Sequence, residues 1–101
     1  MGLSEAGGGL AFELGQNMPN PLRPNTSIHF ALPSERNVEL RVFDVAGRAV
    51  KTLARGRMEA GVHTLTWNGV NDKGTPLSSG VYFYRLVAGQ DRAQRKMVIT
   101  D

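Results

Sequence analysis

The sequence predicts an all-β fold, an antiparallel β-sandwich of about seven strands. Three observations point there. The run from Ser79 to Ala88, Ser-Gly-Val-Tyr-Phe-Tyr-Arg-Leu-Val-Ala, is dense in β-branched and aromatic residues, a composition that suits a pleated and buried surface. Short stretches of strict apolar/polar alternation recur along the chain, each bounded by Gly, Pro or Asn. No stretch of useful length carries the 3.6-residue period of an amphipathic helix. The 101 residues suffice for one domain that removes roughly two-thirds of its unfolded surface from water.

The elements follow in chain order. Residues 1–9 contain Gly7-Gly8-Gly9, which offer no side chain to bury, so this segment reads as a flexible linker left from a longer protein and the domain as residues 10–101. A short strand is expected at Leu10 to Leu14. From Gly15 to Asn25, Pro19, Pro21 and Pro24 remove backbone donors, so the segment should cross an edge or rim in extended form. Ser27 to Leu32 alternates, with Ile28, Phe30 and Leu32 on one face. After a turn at Pro33 to Asn37, Val38 to Phe43 points Val38, Leu40 and Val42 inward and Glu39 and Arg41 to water.

Asp44-Val45-Ala46-Gly47 closes a tight hairpin in which Gly47 takes the position that needs positive φ, and Ala49 to Leu53 returns. Gly56 to Gly61 is expected to be a loop. Gly61 opens a strand from Val62 to Trp67, with His63, Leu65 and the core anchor Trp67 on one face. Asn68 to Ser79 is turn chemistry. Gly80 lets the chain turn into the central strand, where Tyr82 and Tyr84 are structural and both faces are expected to be covered. Gly89-Gln90-Asp91 turns the chain, and Ala93 to Thr100 forms the last strand. Seven short strands at this spacing describe an immunoglobulin-like sandwich, with a barrel as the alternative.

Composition narrows the function classes. No cysteine is present, which rules out a disulfide framework and thiolate metal sites. Twelve Lys and Arg against nine Asp and Glu leave a formal charge of +3. The densest basic part, Arg48, Lys51, Arg55 and Arg57, lacks interleaved stacking aromatics and reads as a solvated hairpin, so no nucleic-acid partner is expected. No apolar run reaches membrane-span length, and the first residues lack the basic and apolar regions of a signal peptide.

Catalytic parts are missing as well. His29 and His63 lie on different strands outside any nucleophile motif, and His63 shares a face with Leu65 and Trp67 as a structural residue would. Asn68, Asn71 and Asp72 near Gly74 suggest calcium, but the spacing is not that of an EF-hand and Asx-turn geometry explains them. Ser78-Ser79-Gly80 precedes a strand, whereas a nucleophile elbow precedes a helix. The aromatics fall at core positions, which makes a sugar-stacking platform the lesser reading. No catalytic, metal-binding or cofactor-binding residue is expected, and the chain reads as non-enzymatic.

Several separated motifs then occur in order. Leu14-Gly15-Gln16-Asn17-Met18-Pro19-Asn20-Pro21-Leu22-Arg23-Pro24-Asn25-Thr26-Ser27-Ile28-His29-Phe30, followed by Leu32-Pro33, resembles the opening of the C-terminal sorting domains of type IX secretion cargo. Val42-Phe43-Asp44-Val45-Ala46-Gly47-Arg48-Ala49-Val50, Ala60-Gly61-Val62-His63, Trp67-Asn68-Gly69, Ser79 to Leu86 and Lys96-Met97-Val98-Ile99 continue the likeness. Departures are small: Met18 where an aromatic is common, Leu22-Arg23 where Phe-Asn is usual, and Asn68 where Asp is common. The pattern also resembles the Ig-like domain of flagellar hook-capping proteins.

The sorting resemblance implies a monomeric address label, joined to an N-terminal cargo. The cargo reaches the periplasm with its own signal, and the label is recognised by type IX machinery at the outer membrane. The destination is the cell surface or medium of a Gram-negative bacterium, and a cleavage site would fall in Ser4 to Gly9. Recognition is expected at the basic, apolar strand Arg95, Lys96, Met97, Val98 and Ile99, read by β-augmentation with Lys96 and Met97 giving selectivity. Two rivals stand: a carbohydrate- or cell-surface-binding module of a secreted hydrolase, and a structural part of an assembly such as a hook cap.

Overall fold

The structure, a computed structural model, describes residues 10–22 and 25–100. The linker expected at residues 1–9, with its cleavage site, lies outside them, as do Arg23, Pro24 and Asp101. Seven strands form: β1 (Glu13–Leu14), β2 (Thr26–Leu32), β3 (Arg36–Phe43), β4 (Ala49–Met58), β5 (Gly61–Trp67), β6 (Gly80–Ala88) and β7 (Asp91–Ile99). They build two antiparallel sheets, ordered β1-β2-β5 and β4-β3-β6-β7. This is the all-β sandwich the sequence predicts.

Alternation sets the core. In a strand, residues two apart share a face, and the inward sets are Ile28, Phe30 and Leu32, then Val38, Leu40 and Val42, then Tyr82, Tyr84, Leu86 and Ala88, all buried. Met97 and Ile99 from β7 and Trp67 from β5 complete it, joined by Leu14 and Leu22. Gly47 sits at φ 84° in the β3–β4 hairpin. The Asp44 carboxylate accepts the N–H groups of Ala46 and Arg48 there, at 3.0 and 2.9 Å.

Four expectations need correction. The first strand is only Glu13–Leu14 rather than Leu10 to Leu14. The loop expected from Gly56 to Gly61 is mostly strand, because β4 runs on to Met58. Its ladder with β3 skips Leu53 and Val50, two bulges that break the alternation a reader would follow. The last strand starts two residues early, at Asp91, and ends at Ile99. Finally, β6 is covered on one face only: Phe83, Arg85 and Val87 are half-buried and Val81 is exposed, since the outer face of a two-layer sandwich meets water.

Candidate functional site

The segment from Leu14, at the end of β1, to Leu22, the arm, holds the sandwich shut along one side. It is tied to the three-stranded sheet by Gly15 N–H to His29 O (2.8 Å) and by reciprocal bonds between Met18 and Ser27 (2.9 and 2.8 Å). A Cβ at Gly15 would lie 2.6 Å from His29 Nε2, so a larger residue there would push the exposed His29 ring aside. Met18–Pro19 and Asn20–Pro21 are both cis peptides. As the three prolines suggested, the arm crosses a rim in place of continuing a ladder.

On the other sheet the arm runs alongside β7. Arg95 Nε donates to Leu14 O (2.8 Å), Gln16 Nε2 to Lys96 O (2.9 Å), and Leu22 N–H to Val98 O (3.0 Å). Val98 N–H in turn donates to Asn20 Oδ1 at 2.9 Å. The outer backbone edge of β7 at Lys96–Val98 is therefore not the bare edge that a β-augmentation reading needs. Met97 also differs from expectation: its side chain is fully buried, so in the folded domain it cannot select a partner. Ile99 is likewise inward, whereas Arg95 and Lys96 are exposed and Val98 is half-buried.

Beneath the arm lies a buried polar network that sequence reasoning did not find. Tyr84 Oη donates to Gly15 O and accepts from Asn17 N–H, both at 2.7 Å. Asn17 Nδ2 donates to Thr26 Oγ1 (3.0 Å) and Pro19 O (3.1 Å), and Thr26 Oγ1 donates to Pro19 O (2.9 Å). Burial pushes the Tyr84 phenol above its ordinary 10.0, against the opposing pull of the Asn17 N–H and the Arg95 charge. Buried polar groups cost stability unless paired, and here Asn17 and Thr26 are both paired and 1% exposed.

The other singled-out residues have structural surroundings. Trp67 is buried and donates from Nε1 to Val70 O at 2.9 Å. Tyr82, also buried, donates to Ser78 O at 2.7 Å. Gly61 and Gly80 begin their strands at φ 130° and 152°. His63 stacks on Phe30 with centroids 5.3 Å apart and donates from Nε2 to Glu59 O at 2.7 Å. Asn71 Oδ1 accepts from Lys73 and Thr75 N–H, and Asp72 Oδ1 from Thr52 N–H. Among the described residues no group of three or more His, Asp or Glu could hold a metal.

The basic cluster of the β3–β4 hairpin is answered by acids distant in sequence or at the turn. Arg48 pairs with Asp44 at 2.9 Å, Lys51 with Asp72 at 3.8 Å, Arg55 with Glu39 at 3.0 Å and Arg57 with Glu35 at 3.1 Å. Not every aromatic is in the core: Phe43 and Phe83 face outward and half-buried on the four-stranded sheet. Among the described residues no helix is long and apolar enough to cross a membrane.

Comparison with known proteins gives three findings. The family described as FlgD Ig-like domain matches residues 24–92, which leaves out the arm and most of β7. The chain is 39% identical over 57 residues to the basal-body rod modification protein FlgD of Salmonella typhimurium and, equally, of Salmonella typhi. That match takes in 56% of the chain and spans a quarter of the length of those relatives. Among solved structures, dimeric latent PorU from Porphyromonas gingivalis is similar at TM-score 0.71 and 21% identity, over 91% of this chain and 10% of that one. FlgD from P. aeruginosa is similar at TM-score 0.57 and 23% identity, over 73% of this chain and 58% of that one. PorZ, a surface component of the type IX secretion system of Porphyromonas gingivalis, is similar at TM-score 0.57 and 18% identity, over 89% and 11%. These structural likenesses concern the fold.

Proposed function

This chain belongs to the FlgD Ig-like domain family, and from that premise we propose that it is a non-catalytic sorting domain. In this reading it directs a larger exported protein through the type IX secretion system, by way of the periplasm, to the cell surface. The observation that carries the reading is the arm. Leu14 to Leu22 opens the first of the motifs that carry the sorting resemblance, lies outside the family match, and is bonded to β7 at Leu14, Gln16, Asn20 and Leu22. A segment of such defined sequence, spent on covering one strand, makes the arm and β7 a single recognition surface. Machinery at the outer membrane would read Arg95, Lys96 and Val98 together with Met18, whose side chain is 68% exposed.

The test is export. A fluorescent protein with a periplasmic signal is fused ahead of the full chain and produced in a type IX-competent host and in the same host without the translocon. Surface fluorescence confined to the competent host is the expected result. Reporter held in the periplasm of both hosts, with the domain folded, overturns the reading. A second reading, an assembly module of the kind found within FlgD, draws on the 39% identity over 57 residues. It predicts concentration-dependent oligomers on sizing, where a sorting domain elutes as a monomer.

A further inference from the structure

Charge on the outer face of the four-stranded sheet is left unanswered. The β3–β6–β7 ladders set the outward residues in rows: Phe43, Phe83, Lys96; then Arg41, Arg85, Gln94; then Glu39, Val87, Arg92. Arg41 and Arg85 stand directly opposite one another, an arrangement that like charges disfavour. Both guanidiniums lie over the Phe43 ring, 5.3 and 4.4 Å from its centroid. Arg41 Nε is shut off from solvent with no hydrogen-bond partner. Its Nη1 reaches Glu39 only at 3.6 Å, and Glu39 is shared with Arg55. Among the described residues, Arg85, Arg92 and Lys96 have no carboxylate in ion-pair range. Arg85, Arg92 and Gln94 line a cleft of about 350 Å³.

We propose that this face docks an acidic protein partner, an extended segment with carboxylates at alternate positions. Successive rows on one face of a strand lie about 6.6–6.8 Å apart, the spacing of alternate residues in an extended peptide. One carboxylate meets the Arg41–Arg85 pair and relieves its repulsion, and the next meets Arg92. The methylene stems of these acidic side chains lie over Phe83, Val87 and the exposed Val81, and the intervening side chains point away from the sheet. Arginine beside half-buried aromatic surface is the composition of protein interface centres. Nucleic acid fits less well, because the Phe43 face is already covered by two guanidiniums and the valines offer no plane for a base to stack on.

The test is a titration of the full isotope-labelled chain, at low salt, with a synthetic peptide of alternating glutamate and valine. Single-stranded DNA and phosphatidylglycerol vesicles serve as comparators. Saturable shifts are expected at the amides of Arg41, Phe83, Arg85 and Arg92. Arg85→Gln combined with Arg92→Gln should weaken binding about tenfold or more, and Arg92→Gln alone about threefold, with the amide spectrum away from the face unchanged. Lys51→Gln, in the hairpin cluster that already has acid partners, should change affinity less than about twofold. Absence of saturable shifts overturns the proposal, as does an equal loss from Lys51→Gln or tighter binding of DNA or vesicles. None of these variants changes Arg95, Lys96, Val98 or Met18, so failure here leaves the sorting test standing.

Discussion

The two lateral sides of the sandwich are held by different physics. Where β1 and β7 meet, the arm stitches one sheet to the other through hydrogen bonds at Gly15, Gln16, Asn17, Asn20 and Leu22, fastened from inside by Tyr84. Where β4 and β5 meet, Glu59 and Ala60 carry the chain across and Asp72 bonds to Val50 and Thr52 of β4, but among the described residues no arm runs along the rim, and a cleft of about 470 Å³ remains, lined in part by Leu53, Leu65, Thr66 and Trp67. The stitched side depends on direction and exact partners, the open side on apolar contact. Hydrogen bonds add little net free energy each but penalise any alternative that leaves them unmade. Apolar packing supplies more free energy and less selectivity.

That contrast can be broken at the open side first. Trp67→Ala should cost about 3–5 kcal/mol in urea unfolding, and a loss well under 2 kcal/mol would mean that the ring is not what holds that side. Next comes the stitched side. Tyr84→Phe removes one hydroxyl with two buried partners, and should cost about 1–3 kcal/mol while speeding hydrogen exchange at the Asn17 amide. Unchanged exchange there would show that the phenol does not fasten the arm. Asn20→Ala should cost about 0.5–1.5 kcal/mol, with faster exchange at Val98 and none of the core amides affected.

The smallest effect lies away from both sides. Backbone and guanidinium hydrogen bonds from Arg48 hold the Asp44 carboxyl below its ordinary 3.8. A carboxyl lowered on folding contributes fully above its unfolded value and loses that contribution as pH falls through the lowered folded value. The amides of Ala46 and Arg48 should therefore shift with a midpoint below 3.8 in an NMR titration. A midpoint at or above that value would show that these hydrogen bonds do not stabilise the Asp44 carboxylate.

Alternation made much of the fold legible. Val38, Leu40 and Val42, or Ile28, Phe30 and Leu32, announce an inward face because each strand is regular and each set is apolar. β4 hid its second half because bulges at Val50 and Leu53 shift the phase. The start of β7, Asp-Arg-Ala-Gln, is an exposed edge and carries no apolar period. The burial of Met97 was readable, since Met97 and Ile99 share a parity opposite to Lys96 and Val98. The Tyr84–Asn17 contact was not, because a side-chain hydrogen bond between positions 67 residues apart leaves no local pattern. The same holds for the charge pairs that answer the hairpin arginines, whereas the unanswered Arg85, Arg92 and Lys96 are scattered along the chain and look unremarkable until the ladder aligns them.

The arm and β7 advance in the same direction, from Leu14 beside Arg95 through Gln16 beside Lys96 to Leu22 bridged in parallel to Ile99. Tension applied between residue 10 and residue 99 would drag these two segments lengthwise past each other in shear. Their bonds would then bear the load together instead of parting one after another. Forced unfolding follows the rate of crossing the unfolding barrier rather than equilibrium stability. The domain should therefore be a mechanical clamp when stretched from these ends, and far weaker when pulled across the open side.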